Sequence, residues 1–154
     1  MTNKQRYNAA HKIWFMIQYP SAFQDGFYAE PKMPVINKAN GLTTFICNYL
    51  NWIGHRATRI NVSGRLIDGN EKQPSGVVLN AKKWIPSTTR KGTADISATI
   101  KGRSVMLEIK IGKDKASEFQ LAEQIKERKA GGIYEFISSV DEFFQLYDSL
   151  FVNL

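Results

Sequence analysis

ADISATIKGRSVMLEIKIG, residues 94–112, places two apolar runs on either side of a Lys-Gly pair. Branched and apolar residues that alternate with polar ones are typical of strands. A glycine supplies the positive φ that a tight two-residue turn requires. The stretch therefore predicts an antiparallel hairpin that turns at Lys101 and Gly102.

The two-residue turn determines how the two strands pair. Ile100 then faces Arg103, and Asp95 lies directly opposite Glu108. Directly paired residues share a face and residues two apart stay on it, so one face of the hairpin is apolar and is predicted to be core. The other face carries both acids and Lys110. A three-residue loop would shift the register by one residue and separate the acids.

The polar face of this hairpin places two carboxylates opposite one another, and their repulsion has to be relieved. Opposed carboxylates repel one another unless one is protonated or a cation lies between them. A hard divalent ion that keeps several waters suits such a pair, and it makes water easier to deprotonate near neutral pH. The alternative is a half-exposed strand in which Glu108 and Lys110 form an ordinary ion pair.

The distribution of charge indicates a polyanionic partner. The 154 residues carry a net charge of +7, and residues 1–94 hold 13 Lys and Arg against 4 Asp and Glu. A basic domain of this size is typical of nucleic-acid-binding proteins, although a basic surface that serves only solubility remains the alternative.

The single cysteine, Cys47, suits a reducing compartment. With no apolar run near the roughly 20 residues of a membrane span, we expect a cytoplasmic protein.

The remaining sequence predicts an α/β domain. Apolar spacing and capping signals predict helices at residues 5–18, 41–54, 117–132 and 139–151, and strands at 55–64 and 133–138. We expect residues 64–92 to be irregular, apart from short apolar pieces near residues 77–79 and 84–85. The predicted order from residue 41 is α-β-β-β-α-β-α, a mixed β-sheet flanked by helices. Residues 41–154 would form this domain and residues 1–40 an N-terminal helical and loop extension.

Four segments together resemble the VRR-NUC branch of the PD-(D/E)XK nuclease superfamily. They are GTADI, an EIK sequence whose glutamate follows the aspartate after twelve intervening residues, SEFQ, and AGGIYEFISSVDEFF. The resemblance runs from about residue 41 to residue 147. It implies a restriction-endonuclease-like core and a metal-dependent DNA endonuclease that hydrolyses phosphodiester bonds, selective for branched, flapped or Holliday-junction-like DNA.

The resemblance also implies a role for individual residues. Asp95, Glu108 and the backbone carbonyl of Ile109 are the implied ligands of Mg²⁺ or Mn²⁺. Lys110 is the implied catalytic lysine, which assists the attacking water. Gln120 matches the glutamine of the following helix, and it equally completes a capping box at the start of that helix.

Basic residues upstream and downstream of the hairpin are candidates for contact with DNA. The family-like segment RINVSG contains Arg59 and Asn61. These two residues either contact phosphate or hold the end of a strand in place. Further candidates for a phosphate-binding rim are Lys82, Lys83, Arg90, Lys91, Lys113 and Lys115. For each of them, a solvated surface charge is the alternative. The resemblance also implies a homodimer, and a host-cytoplasmic role in replication or repair if the chain is phage-encoded.

The sequence departs from the family's pattern at two places. Ala94 stands where the motif has proline, which affects the turn and not the metal ligands. The first helix usually contributes a glutamate near the metals, but NKANGLTTFICNYL contains no acid; Asn40, Thr43 or Thr44 would have to substitute through water. A second hypothesis is therefore a catalytically inactive nucleic-acid-binding module with the same fold.

Overall fold

The computed structural model describes residues 1–60, 65–72, 74–75, 78–85 and 90–152. Its elements in chain order are α1 (Asn3–Gln18), α2 (Pro20–Gln24), α3 (Ala39–Trp52), β1 (Arg56–Arg59), β2 (Arg65–Lys72), β3 (Val78–Ile85), β4 (Ile96–Ile100), β5 (Arg103–Ile109), α4 (Glu118–Lys129), β6 (Ile133–Ile137) and α5 (Val140–Val152). Within these ranges, no helix combines the length and the apolar character that crossing a membrane requires.

Four of the strands form a mixed sheet in the order β1-β4-β5-β6. The β1–β4 and β4–β5 pairs are antiparallel, and the β5–β6 pair is parallel. Parallel neighbours need a crossover connection, which α4 provides. With α3 before β1 and α5 after β6, the elements of this sheet follow the predicted order. The prediction of an α/β fold with a mixed sheet flanked by helices is confirmed.

The turn between β4 and β5 has the geometry that the sequence predicts. Lys101 has a φ of 50° and Gly102 a φ of 78°, and a two-residue hairpin turn of this kind has positive φ at both central positions. The register runs from Ile100 opposite Arg103 to Ile96 opposite Leu107. A three-residue loop is therefore excluded.

The segment between β1 and β4 is more regular than the sequence predicts. Instead of an irregular stretch, β2 and β3 pair over their whole length as a separate antiparallel two-stranded sheet. The pattern was misleading because this segment is rich in Gly, Asn, Lys and Arg, which are poor strand formers, while cross-strand pairing stabilises strands largely independently of intrinsic preference. A short helix, α2, likewise occupies part of the loop expected after α1.

The main core lies on one face of the four-stranded sheet, where apolar residues of α1, α3 and α5 cover the strands. Tyr7 of α1 is fully buried, and its ring stacks on Phe45 of α3 with 4.4 Å between centroids. Arg6 pairs with Asp148 of α5. The N-terminal segment therefore contributes to the same core as the rest of the chain, and the boundary at residue 40 stays a prediction.

Candidate metal and nucleic-acid site

Asp95 lies at a bend immediately before β4, one residue beyond the paired part of the hairpin. Its backbone carbonyl accepts a hydrogen bond from the N–H of Ile60, which follows β1, at 2.7 Å. Its side-chain Oδ2 accepts a hydrogen bond from the N–H of Ile109 at 3.0 Å. Asp95 is thus attached both to the end of β1 and to the end of β5, so the sheet fixes its position.

Glu108 lies on the face of β5 that is turned away from the main core, under α4. Only 5% of the residue is exposed, which is unusual for a carboxylate. Its Oε1 accepts a hydrogen bond from Nε2 of Gln120 and lies 3.2 Å from Nζ of Lys110. Its Oε2 is buried and has no hydrogen-bond partner among the described residues. Among the described residues, one oxygen of this carboxylate is therefore both buried and without a hydrogen-bond partner.

Burial and neighbouring negative charge raise the pKa values of two groups in this site. Burial raises the pKa of Glu108, and the negative charge of Asp95 raises it further, while Lys110 opposes the rise. Burial also raises the pKa of Tyr134, with a further contribution from the charges of Glu108 and Asp95. Glu108, Asp95 and Tyr134 are therefore close enough to repel one another when ionised, as the hairpin register predicts for the two acids.

Lys110 has two acidic partners. Its Nζ lies 3.2 Å from Glu108 and 3.4 Å from Asp114, and only 13% of its side chain is exposed. The ion pair of the alternative interpretation is therefore present. That interpretation also expects a half-exposed strand, and the near-complete burial of Glu108 contradicts it.

Gln120 forms the capping box that one of its two interpretations predicts, and it also contacts Glu108. Its Oε1 accepts from the N–H of Ser117 at 2.9 Å, and its own N–H donates to the Ser117 side chain, which completes a capping box at the start of α4. Its Nε2 donates to Glu108. One side chain thus joins the beginning of α4 to the buried carboxylate, whereas a catalytic role for it stays a prediction.

The donor set at this site suits a hard divalent cation that keeps part of its water shell. Across the described ranges, no three His, Cys, Asp or Glu side chains converge to form a metal cluster; the carboxylates of the candidate site are those of Asp95 and Glu108. Mg²⁺ is commonly bound through one or two carboxylates plus substrate phosphates and water. The unpartnered Oε2 of Glu108 is the observation that fits a cation, because a buried charged oxygen without a partner is costly.

We expect the Glu108→Gln variant to be more stable than the wild type in EDTA at neutral pH, by about 1 kcal/mol, because it removes a buried charge with an unpartnered oxygen. Lys110 keeps Asp114 as a partner. The raised pKa of Glu108 means that the folded chain holds this proton more tightly than the unfolded chain. The carboxylate therefore lowers stability as the pH rises above the ordinary value of 4.5, so the advantage of the variant disappears in acid.

Urea denaturation of both proteins, with EDTA and with increasing Mg²⁺, measures this effect. A ligand that binds only the folded state raises stability with the logarithm of its concentration. We expect Mg²⁺ to stabilise the wild type and the control Glu118→Gln, whose acid is exposed on α4, but not Glu108→Gln. Equal responses of all three proteins would mean that Glu108 is not a ligand.

The candidates for DNA contact, all basic except Asn61, differ in where they lie. Two exposed pairs flank the residues of the site along the chain, namely Arg90 with Lys91 and Lys113 with Lys115. Arg59 and Lys82 are also exposed, and Lys82 lies on β3. Arg59 ends β1 opposite Ile96, next to Asp95, and Arg90 pairs with Glu123 of α4. Lys83 belongs to β3, and Asn61 lies outside the described residues.

The three residues proposed to replace the missing helix glutamate are partly committed to other contacts. Thr43 and Thr44 donate their hydroxyls to backbone carbonyls of the preceding turn of α3, each at 2.8 Å. Asn40 differs, because its side-chain oxygen accepts a hydrogen bond from Arg59. Of the three, Asn40 is therefore the one that is connected to the rim of the site.

Tyr134 is a further member of this site, and none of the sequence motifs indicates it. It is 1% exposed and pairs with Met106 on β5, so its side chain shares the face of Glu108. Its hydroxyl donates to the carbonyl of Gly92 at 3.0 Å, which anchors the loop before Asp95. The alternation of residues along IYEFI was the available signal, once the parallel pairing of β5 with β6 is known.

Comparisons of the chain with protein-family models, with curated proteins and with solved structures find no match. The resemblance that the sequence motifs indicate therefore stays a prediction.

Proposed function

We propose that this chain is a metal-dependent DNA endonuclease with a restriction-endonuclease-like core, related to the VRR-NUC branch of the PD-(D/E)XK superfamily. The reaction is hydrolysis of a phosphodiester: water forms a new bond to phosphorus, one ester P–O bond breaks, and the departing oxygen takes up a proton. Asp95, Glu108 and Lys110 are the residues at which we propose that this occurs.

The observation that carries this proposal is the buried carboxylate of Glu108. Burying a charge is costly, and a folded protein normally satisfies both oxygens of a carboxylate. In this chain, Oε1 has two partners and Oε2 has none among the described residues. The neighbouring charge of Asp95 increases the cost. An arrangement that is unfavourable for the protein alone supports a function that brings a cation to it.

In this proposal, Asp95, Glu108 and the carbonyl of Ile109 hold a divalent ion, Mg²⁺ or Mn²⁺. When bound, such an ion polarises the phosphate and lowers the pKa of water. Hydrogen bonds to Ile109 and Gln120 keep the two carboxylates in position. Pre-positioned charges of this kind act without reorganisation during the reaction.

Lys110 contributes a positive charge to the site from the protein itself. Its ammonium group is mostly buried between Glu108 and Asp114, so its position is restrained. A lysine ammonium is a compact charge with three donors, which suits it to orient the attacking water and to donate to a phosphate oxygen. We propose that it does both, and that Asp114 holds it in reach of the substrate.

The exposed basic residues around the site are the proposed contacts to the DNA backbone. Phosphate contacts position a nucleic acid without reading its sequence, which agrees with a nuclease that selects branched or flapped structures. A homodimer would present two such sites for paired nicks. The proposed contacts to the DNA backbone are Arg59, Arg90, Lys91, Lys113 and Lys115, with Lys82 and Lys83 of β3 and Asn61 as further candidates.

A catalytically inactive nucleic-acid-binding module is the second candidate function. The observation that favours it is the ion pair between Lys110 and Glu108, which partly neutralises the buried carboxylate without a metal. The absence of an acid in α3 favours it as well, since α3 would then contribute no second cation ligand.

The deciding experiment incubates the purified protein with branched, flapped and linear DNA of related sequence, in Mg²⁺, Mn²⁺ or EDTA. We expect cleavage with either metal, none in EDTA, and faster cleavage of branched and flapped DNA than of linear duplex. Gel-shift measurements on the same DNAs report binding separately. Binding without cleavage under every metal condition would establish the inactive module instead.

A further inference from the structure

A small pocket adjoins the candidate site on the side of α4. Its volume is about 260 Å³, below the roughly 300 Å³ at which pockets for independent small ligands begin. It therefore suits one part of a larger ligand. Gln120 belongs both to this pocket and to the site, because its Nε2 contacts Glu108. The pocket is lined by Arg90, Lys91, Gly92, Thr93, Ser117, Phe119 and Gln120.

Phe119 gives the pocket an aromatic surface. It lies in the first turn of α4, and 56% of the residue is exposed, so its ring contributes little to the core. Nζ of Lys91 lies 5.0 Å from the centre of the ring, within the range of a cation–π contact. The remaining exposed surface of the ring is free for a planar ligand group.

Two cations border this aromatic surface. Arg90 and Lys91 are both exposed and directly precede the loop that leads to Asp95. Arg90 pairs with Glu123, which orients its guanidinium along α4. A planar ring beside cations matches a nucleotide, because the base stacks on the ring while the phosphate attracts the positive charges.

The pocket is held in shape by contacts that involve neither the Phe119 ring nor a cation. The hydroxyl of buried Tyr134 donates to the Gly92 carbonyl at 3.0 Å. Gly92 packs so closely on the backbone of Phe119 that there is no space for a Cβ atom. The loop of Gly92 and the start of α4 therefore form one unit, and the pocket is preformed.

We propose that this pocket is a subsite for one unpaired nucleotide of DNA, with its base stacked on Phe119 and its phosphate beside Lys91 and Arg90. A base within a duplex is stacked between its neighbours and cannot present its face to the ring, so the nucleotide must be in a single-stranded part of the substrate. The inference rests on the proposed function, and it gives that function a physical basis for preferring flaps and branches to linear duplex.

The test compares Phe119→Ala and Phe119→Trp with the wild type. Fluorescence anisotropy in EDTA measures binding to three labelled DNAs: a flapped duplex, its single-stranded arm alone, and a blunt duplex of the same sequence. Loss of one base–aromatic stack weakens binding by roughly 5- to 140-fold. We expect Phe119→Ala to show this loss for the flap and the single strand, with less than about a twofold change for the duplex. Phe119→Trp should restore binding.

The control is Phe27→Ala, which removes another exposed phenylalanine, one that is 73% exposed and does not line the pocket. It should leave all three affinities unchanged. An equal loss of Phe119→Ala on the duplex and on the flap, or no loss on either, would overturn the subsite. Cleavage by the wild type is scored in parallel with Mg²⁺. If the wild type cuts DNA while Phe119→Ala keeps its affinity for the flap, the subsite is wrong and the nuclease proposal stands. If the wild type does not cut DNA while Phe119→Ala loses affinity for the flap, only the nuclease proposal is wrong.

Discussion

Cleavage of DNA by the Glu108→Gln variant is expected to fall by at least about a thousandfold relative to the wild type. Such a loss corresponds to about 4 kcal/mol of transition-state stabilisation, and a metal ion contributes several kcal/mol of this kind. Glutamine keeps the shape of the side chain but removes the negative charge that we propose binds the cation. We expect the same loss for Asp95→Ala, which removes the second proposed ligand and the acceptor for the Ile109 N–H.

The fold and DNA binding should survive both substitutions, since each relieves repulsion between two acids. Circular dichroism, urea denaturation and DNA affinity in EDTA check this separately from the cleavage rate. The matched control is again Glu118→Gln, in which an exposed acid of α4 is neutralised, and it should cut at the wild-type rate. Wild-type cleavage by both Asp95→Ala and Glu108→Gln would show that the active site lies elsewhere.

Gly92→Ala is expected to lower the free energy of unfolding by roughly 2–5 kcal/mol, the largest effect on stability that we predict here. Gly92 has a φ of 84°, which costs any other residue energy, and its added methyl group would lie 2.7 Å from the carbonyl carbon of Phe119. The obstacle is backbone and cannot rotate away. Either the loop before Asp95 or the beginning of α4 must move.

Gly54→Ala is the matched control for this substitution. Gly54 has nearly the same φ, 87°, but no described atom lies within 4 Å of an added Cβ. It therefore measures the conformational strain alone, about 1–2 kcal/mol. Urea denaturation of both variants separates the two contributions. If Gly92→Ala is no less stable than Gly54→Ala, the close packing of Gly92 against Phe119 is not maintained in solution.

The hairpin is the part of the fold that could be derived from the sequence. A Lys-Gly pair between two apolar runs has few ways to turn, and period-two alternation then determines every cross-strand neighbour. The register from Ile100–Arg103 to Ile96–Leu107 follows from these local facts. The capping box at Ser117 is equally local, because its partners are three residues apart.

Contacts between elements distant in sequence could not be derived in this way. The burial of Glu108 depends on where α4 lies over β5, and nothing in EIK states that Gln120 will reach it. Tyr134 meets Gly92 only because β6 joins β5 in parallel. The sequence does not predict β2 and β3, because many of their residues are poor strand formers. These two strands are stabilised by pairing with each other.

The two contacts of Gln120 limit which sequences this position can accept. A capping box takes glutamate or glutamine at its last position. Glu142 lies at the third position of α5, where its N–H donates to the Ser139 hydroxyl and its carboxylate accepts from the N–H of Ser138, one residue before Ser139. At Gln120 the same exchange would preserve the cap but turn a carboxylate toward the buried Glu108. A mutational library of these two positions should therefore accept either glutamate or glutamine at residue 142 and retain only glutamine at residue 120.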